Sequence, residues 1–216
     1  VARGSSGWRY RETRSEPPAD WKTLAFDDSS PAATEWLPCT MPAGFFSGTA
    51  FSPAVTFGTT ATRGTSSDVT TSFYFRKKFT IADPSQIAAL TLNIRRDDGA
   101  VVWLNNDATP TAISADGTFA APFTYAKLAP NATNTSTYVT HSSPTSKLVA
   151  RENILGIEVH PSSLTSSDLL IDCDLVATYN VPLELNFTSV GAQRVLYWFD
   201  SGATLEESSD LGSWSP

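Results

Sequence analysis

The sequence predicts an all-β protein, a sandwich or barrel of short strands, and three observations carry that reading. Hydrophobic residues make up 41% of the 216 and charged residues 17%. Ser, Thr, Gly, Pro and Asn fill much of the remainder, a balance that favours strands and turns over amphipathic helices. Apolar and polar residues alternate at period two in several segments, and turn-forming residues punctuate those segments at close intervals. A chain of this length can bury one large β core.

In chain order, "WRY" at 8–10 puts Trp8 and Tyr10 on one face of a short strand. A Pro-Pro break follows, then a predicted turn of helix holding Trp21, Leu24 and Phe26, aromatics expected to plug one end of the core. From 31 to 72 the chain is rich in Pro, Gly, Thr and Ser, a composition that predicts a long surface excursion. "SFYFRKKFTI" alternates Phe73, Phe75 and Phe79 with Tyr74, Arg76 and Lys78, the mark of a half-buried strand. "IAALTLNI" repeats the pattern through Leu90, Leu92 and Ile94. "RRDDG" then reads as a turn, in which Asp side chains accept from turn amides and Gly99 supplies a positive φ. "AVVWLNND", "STYVTH", "NILGIEVH" and "LLIDCDLVATY" are the next strands. A compositional seam near Asn180-Val181-Pro182 divides a domain at 1–179 from a short β appendage at 180–216, where "LELNF" and "RVLYWF" read as strands.

Net charge is −7, and no Lys/Arg cluster could neutralise a run of phosphates. Nucleic acid and anionic membrane are therefore excluded as expected partners, whereas neutral or cationic ligands, or divalent metals, fit. No apolar run is long enough to span a bilayer, and the opening "VARGSSGWRY" reads as a processed or excised piece. Cys39 and Cys173 suit neither zinc nor thioredoxin-like chemistry. They leave one long-range disulfide or two buried thiols. Strand phase puts Cys173 in the core with Ile171 and Leu175, and Cys39 in "LPCTMP" is expected over the same sheet end, close enough to pair. The acidic balance and Thr/Ser richness point to a secreted or surface protein.

Several segments together, "WRY", "DWKTLAFDDSS", "FYFRKKFTI", "LTLNIRRDDGAVVWLNN" and "NILGIEVHPSSLTSSDLLIDCDL", resemble the galactose-binding-like jelly-roll modules of large secreted bacterial proteins, over about residues 8–178. The resemblance implies a two-sheet antiparallel β-sandwich, a jelly roll, that is non-catalytic and binds carbohydrate, and such modules often hold a structural calcium. The chain departs from that pattern where Pro31 follows "FDDSS" and where Asn105-Asn106-Asp107 replaces an Asn-Gly hairpin. The final "LEESSDLGSW" resembles part of a second short β module.

Catalytic constellations are missing from the sequence. The two histidines, His141 and His160, have no nucleophile motif beside them. Adjacent acids such as Asp97 and Asp98 on a strand point to opposite faces, so they do not flank one glycosidic bond. The expected ligand-binding set is Arg96, Asp97, Asp98, Trp103 and Asn105 at the sandwich rim. There a guanidinium and a carboxylate would bond sugar hydroxyls while Trp103 offers its face to the ring. His160 is expected to bond the Ser166-Ser167-Asp168 loop as a structural group. Asp carboxylates and loop carbonyls would suit calcium, though no loop has EF-hand spacing. The expected partners are a glycan or extracellular matrix, and a neighbouring domain or another copy of the chain. The latter would be reached through Val195, Tyr197, Trp198 and Phe199, whose two-sided apolar strand suits strand addition. A structural subunit that assembles into a filament or surface layer through that strand is the alternative.

Overall fold

In the computed structural model of the protein, residues 1–11, 13–29, 35–45, 70–105, 108–114, 117–132, 137–164, 166, 168–180, 186–190 and 193–197 are described. Their strands are β1 (Trp8–Arg11), β2 (Leu37–Cys39), β3 (Ala43–Phe45), β4 (Phe73–Ile81), β5 (Ile87–Asp97), β6 (Gly99–Leu104), β7 (Thr111–Ile113), β8 (Val139–Ser143), β9 (Arg151–His160), β10 (Leu169–Tyr179), β11 (Asn186–Val190) and β12 (Gln193–Tyr197). Ten of them form an antiparallel sandwich. One sheet has the order β2-β1-β4-β9-β6-β7 and the other β3-β10-β5-β8. The all-β, two-sheet class follows from the period-two pattern, which gives each strand one apolar face that must be covered.

The core lies between the sheets. Phe73, Phe75, Ile157 and Val159 from the larger sheet meet Leu92, Ile94, Ile171 and Cys173 from the smaller, and Trp8 and Tyr10 extend the layer across β1. The inward phase of β5 continues past Ile94 to Arg96, which is buried and donates from Nε to the Ile113 carbonyl at 3.3 Å. That bond ties β5 to β7 across the two sheets.

Several elements differ from expectation. Residues 18–25 form hydrogen-bonded turns without a helix, with Trp21 N–H donating to Pro18 O and Thr23 N–H to Asp20 O. Two strands, β2 and β3, fall within the segment expected to be an excursion, because "LPC" can pair with β1 and "AGF" with β10. Asp98 is a corner and not a hairpin turn: β5 ends in one sheet and β6 begins in the other. Gly99 does not adopt positive φ. It is there for space, since a Cβ on it would stand 2.8 Å from Ala129 Cβ and 3.3 Å from the Phe119 ring. Of the two alternatives left for the cysteines, the pair of buried thiols is the one found, and the expected closeness of Cys39 to Cys173 does not lead to a bond. Cys39 and Cys173 are both buried free thiols, one opposite Trp8 at the edge of the larger sheet and the other opposite Ile94 within the smaller. Burial pushes the Cys39 thiol up to about 12.

Residues Val1–Tyr179 form one compact unit and Asn180–Pro216 a second. Among its described residues the second unit is the antiparallel hairpin β11–β12. Val195 and Tyr197 lie in β12, and their side chains, with Trp198 and Phe199, are outside the described residues.

The crowding at Gly99 gives a direct test. Gly99→Ala forces a methyl against a second methyl that has no flexible end to move, an overpacking cost of roughly 1–3 kcal/mol. Denaturant titration should show the midpoint fall with an unchanged slope; an unaltered midpoint would mean that the corner is looser than this contact implies.

Candidate functional site

The outer face of the six-stranded sheet is built from the residues between the core positions. On β4 these are Tyr74 and Arg76, on β9 Gly156, Glu158 and His160, and on β6 Val101 and Trp103. Register places Gly156 between Arg76 and Trp103. Lacking a side chain, Gly156 leaves a flat seat, and Trp21 occupies it: a Cβ on Gly156 would lie 3.1 Å from the indole. Trp21 is stacked on Trp36 at 5.8 Å between centroids and edge-on to Tyr74 at 5.5 Å and to Trp103 at 5.7 Å. Aromatic pairs at such spacings prefer these geometries. The segment carrying Trp21 is tied down by Arg76, whose buried guanidinium donates to Thr23 O, to Phe26 O and to Asp28 at 2.5 Å.

Beside this cluster opens a cleft of about 290 Å³ lined by Trp21, Trp103 and Phe123 together with Glu16, Lys22 and Glu158. Phe123 packs edge-on to Trp103 at 6.2 Å. The Lys22 ammonium stands over the Trp103 ring, 4.9 Å from its centroid. Glu16 accepts the Tyr125 N–H and, at 3.5 Å, the Tyr74 hydroxyl. A larger groove of about 500 Å³ lies along β1 and β2, but Arg9 is its one charged residue and Trp8 its one aromatic, and Trp8 belongs to the core between the sheets. The aromatic cleft therefore offers more chemistry in less space.

Under the cleft lies a buried polar chain. His160 Nε2 is 3.1 Å from Glu158 Oε2, and Nδ1 is 2.9 Å from Ser72 Oγ and 2.7 Å from the Lys127 carbonyl. Serine, histidine and glutamate in sequence resemble a hydrolase triad, yet the proton positions rule against that use of Nδ1. A carbonyl only accepts, so Nδ1 carries the hydrogen and has no lone pair to take one from Ser72. Ser72 itself donates to Tyr125 O at 2.6 Å and is fully buried. The chain clamps the loop at Tyr125 and Lys127 to β9. His160 thus has structural partners, but not the expected ones. In place of the 166–168 loop it holds Ser72, Lys127 and Glu158, because its side chain points to the outer face of the larger sheet.

The expected ligand set is not brought together. Arg96 points into the sandwich, and Asp97 and Asp98 are buried at the corner, where Asp98 accepts the Ser162 N–H at 2.6 Å. Asn105 is a latch: it donates to Lys147 O and Asn153 Oδ1 and accepts the Ile154 N–H. Trp103 alone of the five lines the cleft. Asp168 lies near Asp97, with Ser166 donating to it at 3.4 Å. Among the described residues no three His, Cys, Asp or Glu side chains are grouped to hold a metal ion. Trp21, Lys22, Glu16, Phe123 and Glu158 were not anticipated as site residues. The signal for Glu158 was the alternation Leu155, Ile157, Val159, which puts Gly156, Glu158 and His160 on the opposite face.

No known family model matches the chain. No curated protein matches it either. Among solved structures it is similar to a calcium-binding mutant of beta-glucuronidase 2 from Bacteroides uniformis, at 14% identity and a TM-score of 0.45 over 78% of this chain and 17% of that one. It is also similar to a glycosyl hydrolase family 2 member from Bacteroides cellulosilyticus, at 14% identity and a TM-score of 0.47 over 86% of this chain and 21% of that one. A beta-glucuronidase from glycoside hydrolase family 2 matches at 14% identity and a TM-score of 0.40, over 73% and 13%. The chain spans from 13% to 21% of the length of these proteins.

The acid corner predicts a pH dependence. Burial first, then the neighbouring Asp98 and Asp168 carboxyls, pushes Asp97 from its ordinary 3.8 up to about 8. The folded state then holds a proton that the unfolded state has released, so the contribution to stability is full below 3.8 and is lost as pH rises through about 8. Melting temperatures across that window should fall for the parent chain and fall less for Asp97→Asn. Parallel curves would show that Asp97 does not titrate there.

Proposed function

We propose that the chain is a non-catalytic, extracellular carbohydrate-binding module, and that the cleft formed by Trp21, Trp103 and Phe123 is its binding site. The single observation that carries this reading is the joining of an aromatic wall to hydrogen-bonding charges around one open volume. A sugar ring presents an apolar C–H face and a girdle of hydroxyls, so it asks for both. Phe123, half-buried at the mouth, would pack against the ring. Glu16 and Glu158 have lone pairs for hydroxyl donors, and Lys22 has hydrogens for hydroxyl oxygens. The Ser72–His160–Glu158 chain belongs to the wall's support and performs no bond cleavage. The acidic net charge keeps phosphate-rich polymers away.

Isothermal titration against a panel of oligosaccharides tests the assignment. Phe123→Ala removes packing at the mouth while leaving the buried cluster in place, and should weaken binding roughly ten-fold, as loss of about 1–1.5 kcal/mol implies. Sugars should be recovered uncleaved. Binding that is unchanged by the substitution, or product release from the oligosaccharide, would contradict the assignment.

A further inference from the structure

We propose that the cleft prefers a cationic sugar, one bearing a free protonated amine, and that Lys22 holds the place of that amine when no ligand is bound. The inference rests on the carbohydrate reading above and narrows it to a class. Its starting point is Lys22. The ammonium lies over the Trp103 ring at 4.9 Å, and among the described residues it forms no ion pair and no hydrogen bond. An ammonium seeks the negative face of an indole ring, which is the usual way an aromatic cage recognises a cation. The chain has therefore placed a cation of its own in the cleft.

The surrounding groups favour the same class. Two carboxylates, Glu16 and Glu158, line the cleft; Glu158 is paired with the His160 ring at 3.1 Å, and the Lys127 ammonium stands over the Phe123 ring at 5.4 Å. The Tyr74 hydroxyl and the Tyr125 amide occupy one site on each Glu16 oxygen, and His160 occupies one site on Glu158 Oε2. A carboxylate has about four acceptor sites, so each keeps some for a ligand. A uronic acid would bring a third carboxylate into this space, against like charge. A neutral sugar would meet the hydrogen-bonding groups but has no cation to set over Trp103 in place of Lys22. An amino sugar has both: its ring packs at Phe123, its amine replaces the Lys22 ammonium at Trp103, and Lys22 swings into water on its flexible stem. The net charge of −7 draws such a ligand from solution.

The experiment compares three tetrasaccharides by calorimetry on the full chain: a glucosamine oligomer with free amines, its N-acetylated counterpart, and an oligogalacturonate. Conditions are low ionic strength and a pH that keeps the amines protonated. The glucosamine oligomer should bind roughly ten-fold tighter than the acetylated one, with an affinity that falls as salt is added. Lys22→Met keeps the aliphatic stem and removes the competing charge, so it should tighten glucosamine binding; Glu16→Gln, on an exposed side chain, should weaken it. Circular dichroism of both variants checks that the fold is retained. Equal or tighter binding of the acetylated or acidic oligomer overturns the inference and leaves the carbohydrate reading standing, and so does weaker glucosamine binding by the folded Lys22→Met variant. If none of the three oligomers binds, the inference fails, and titration with the wider panel of oligosaccharides decides whether the carbohydrate reading stands.

Discussion

The arrangement of the outer face depends on one buried cation. Arg76 stands on β4 with its side chain fully out of water, and three groups of the 23–28 segment converge on it: the carbonyls of Thr23 and Phe26 and the Asp28 carboxylate. Its guanidinium also lies over the Phe26 ring at 4.9 Å and near Trp36 at 5.9 Å. Breaking a buried pair by removing one partner costs about 3–5 kcal/mol, whereas an aromatic pair contributes about 0.5–1.5 kcal/mol. The cation therefore decides where the segment runs, and the ring contacts refine it. Without that anchor Trp21 would have no reason to lie on Gly156, and the cleft would lose a wall.

A second constraint acts from the other side. The loop through Phe123, Tyr125 and Lys127 would be free to lift were it not for Thr71, Ser72 and His160, which take its Tyr125 and Lys127 carbonyls as acceptors. Phe119 adds an edge-on contact to the His160 ring at 5.2 Å. Buried polar groups of this kind are costly unless satisfied, so the loop and the strand hold each other in place. The cleft is thus framed by two separately anchored segments, one from before β2 and one from between β7 and β8.

Sequence alone made the strands legible, and "LLIDCDLVATY" became β10 residue for residue, because period two survives any tertiary context that leaves one face buried. It failed where a polar residue takes the inward phase. Arg96 looks like a rim residue only if charge is assumed to face water, yet its phase with Leu92 and Ile94 points it inward. Trp21 was read as a core plug because an indole in a Pro-rich turn region carries no directional signal; the flat seat at Gly156, 135 positions later, is what receives it. Lys22 and Glu158 are likewise distant in sequence, and their meeting depends on pairings that no local pattern encodes. Gly99 was legible as a required glycine but not for the right reason, since positive φ and close approach leave the same mark in a sequence.

The central claim is that two loops, pinned by Arg76 and by the His160 chain, frame a ligand cleft on the outer face of the larger sheet. The most direct measurement is a two-dimensional NMR titration of the labelled chain with the glucosamine oligomer, following the indole N–H signals of the six tryptophans. The account predicts that the signals of Trp21 and Trp103 move together and saturate with one affinity while the signal of Trp8, in the core, stays fixed. Saturating shifts confined to residues of the four-stranded sheet, with Trp21 and Trp103 unmoved, would contradict it.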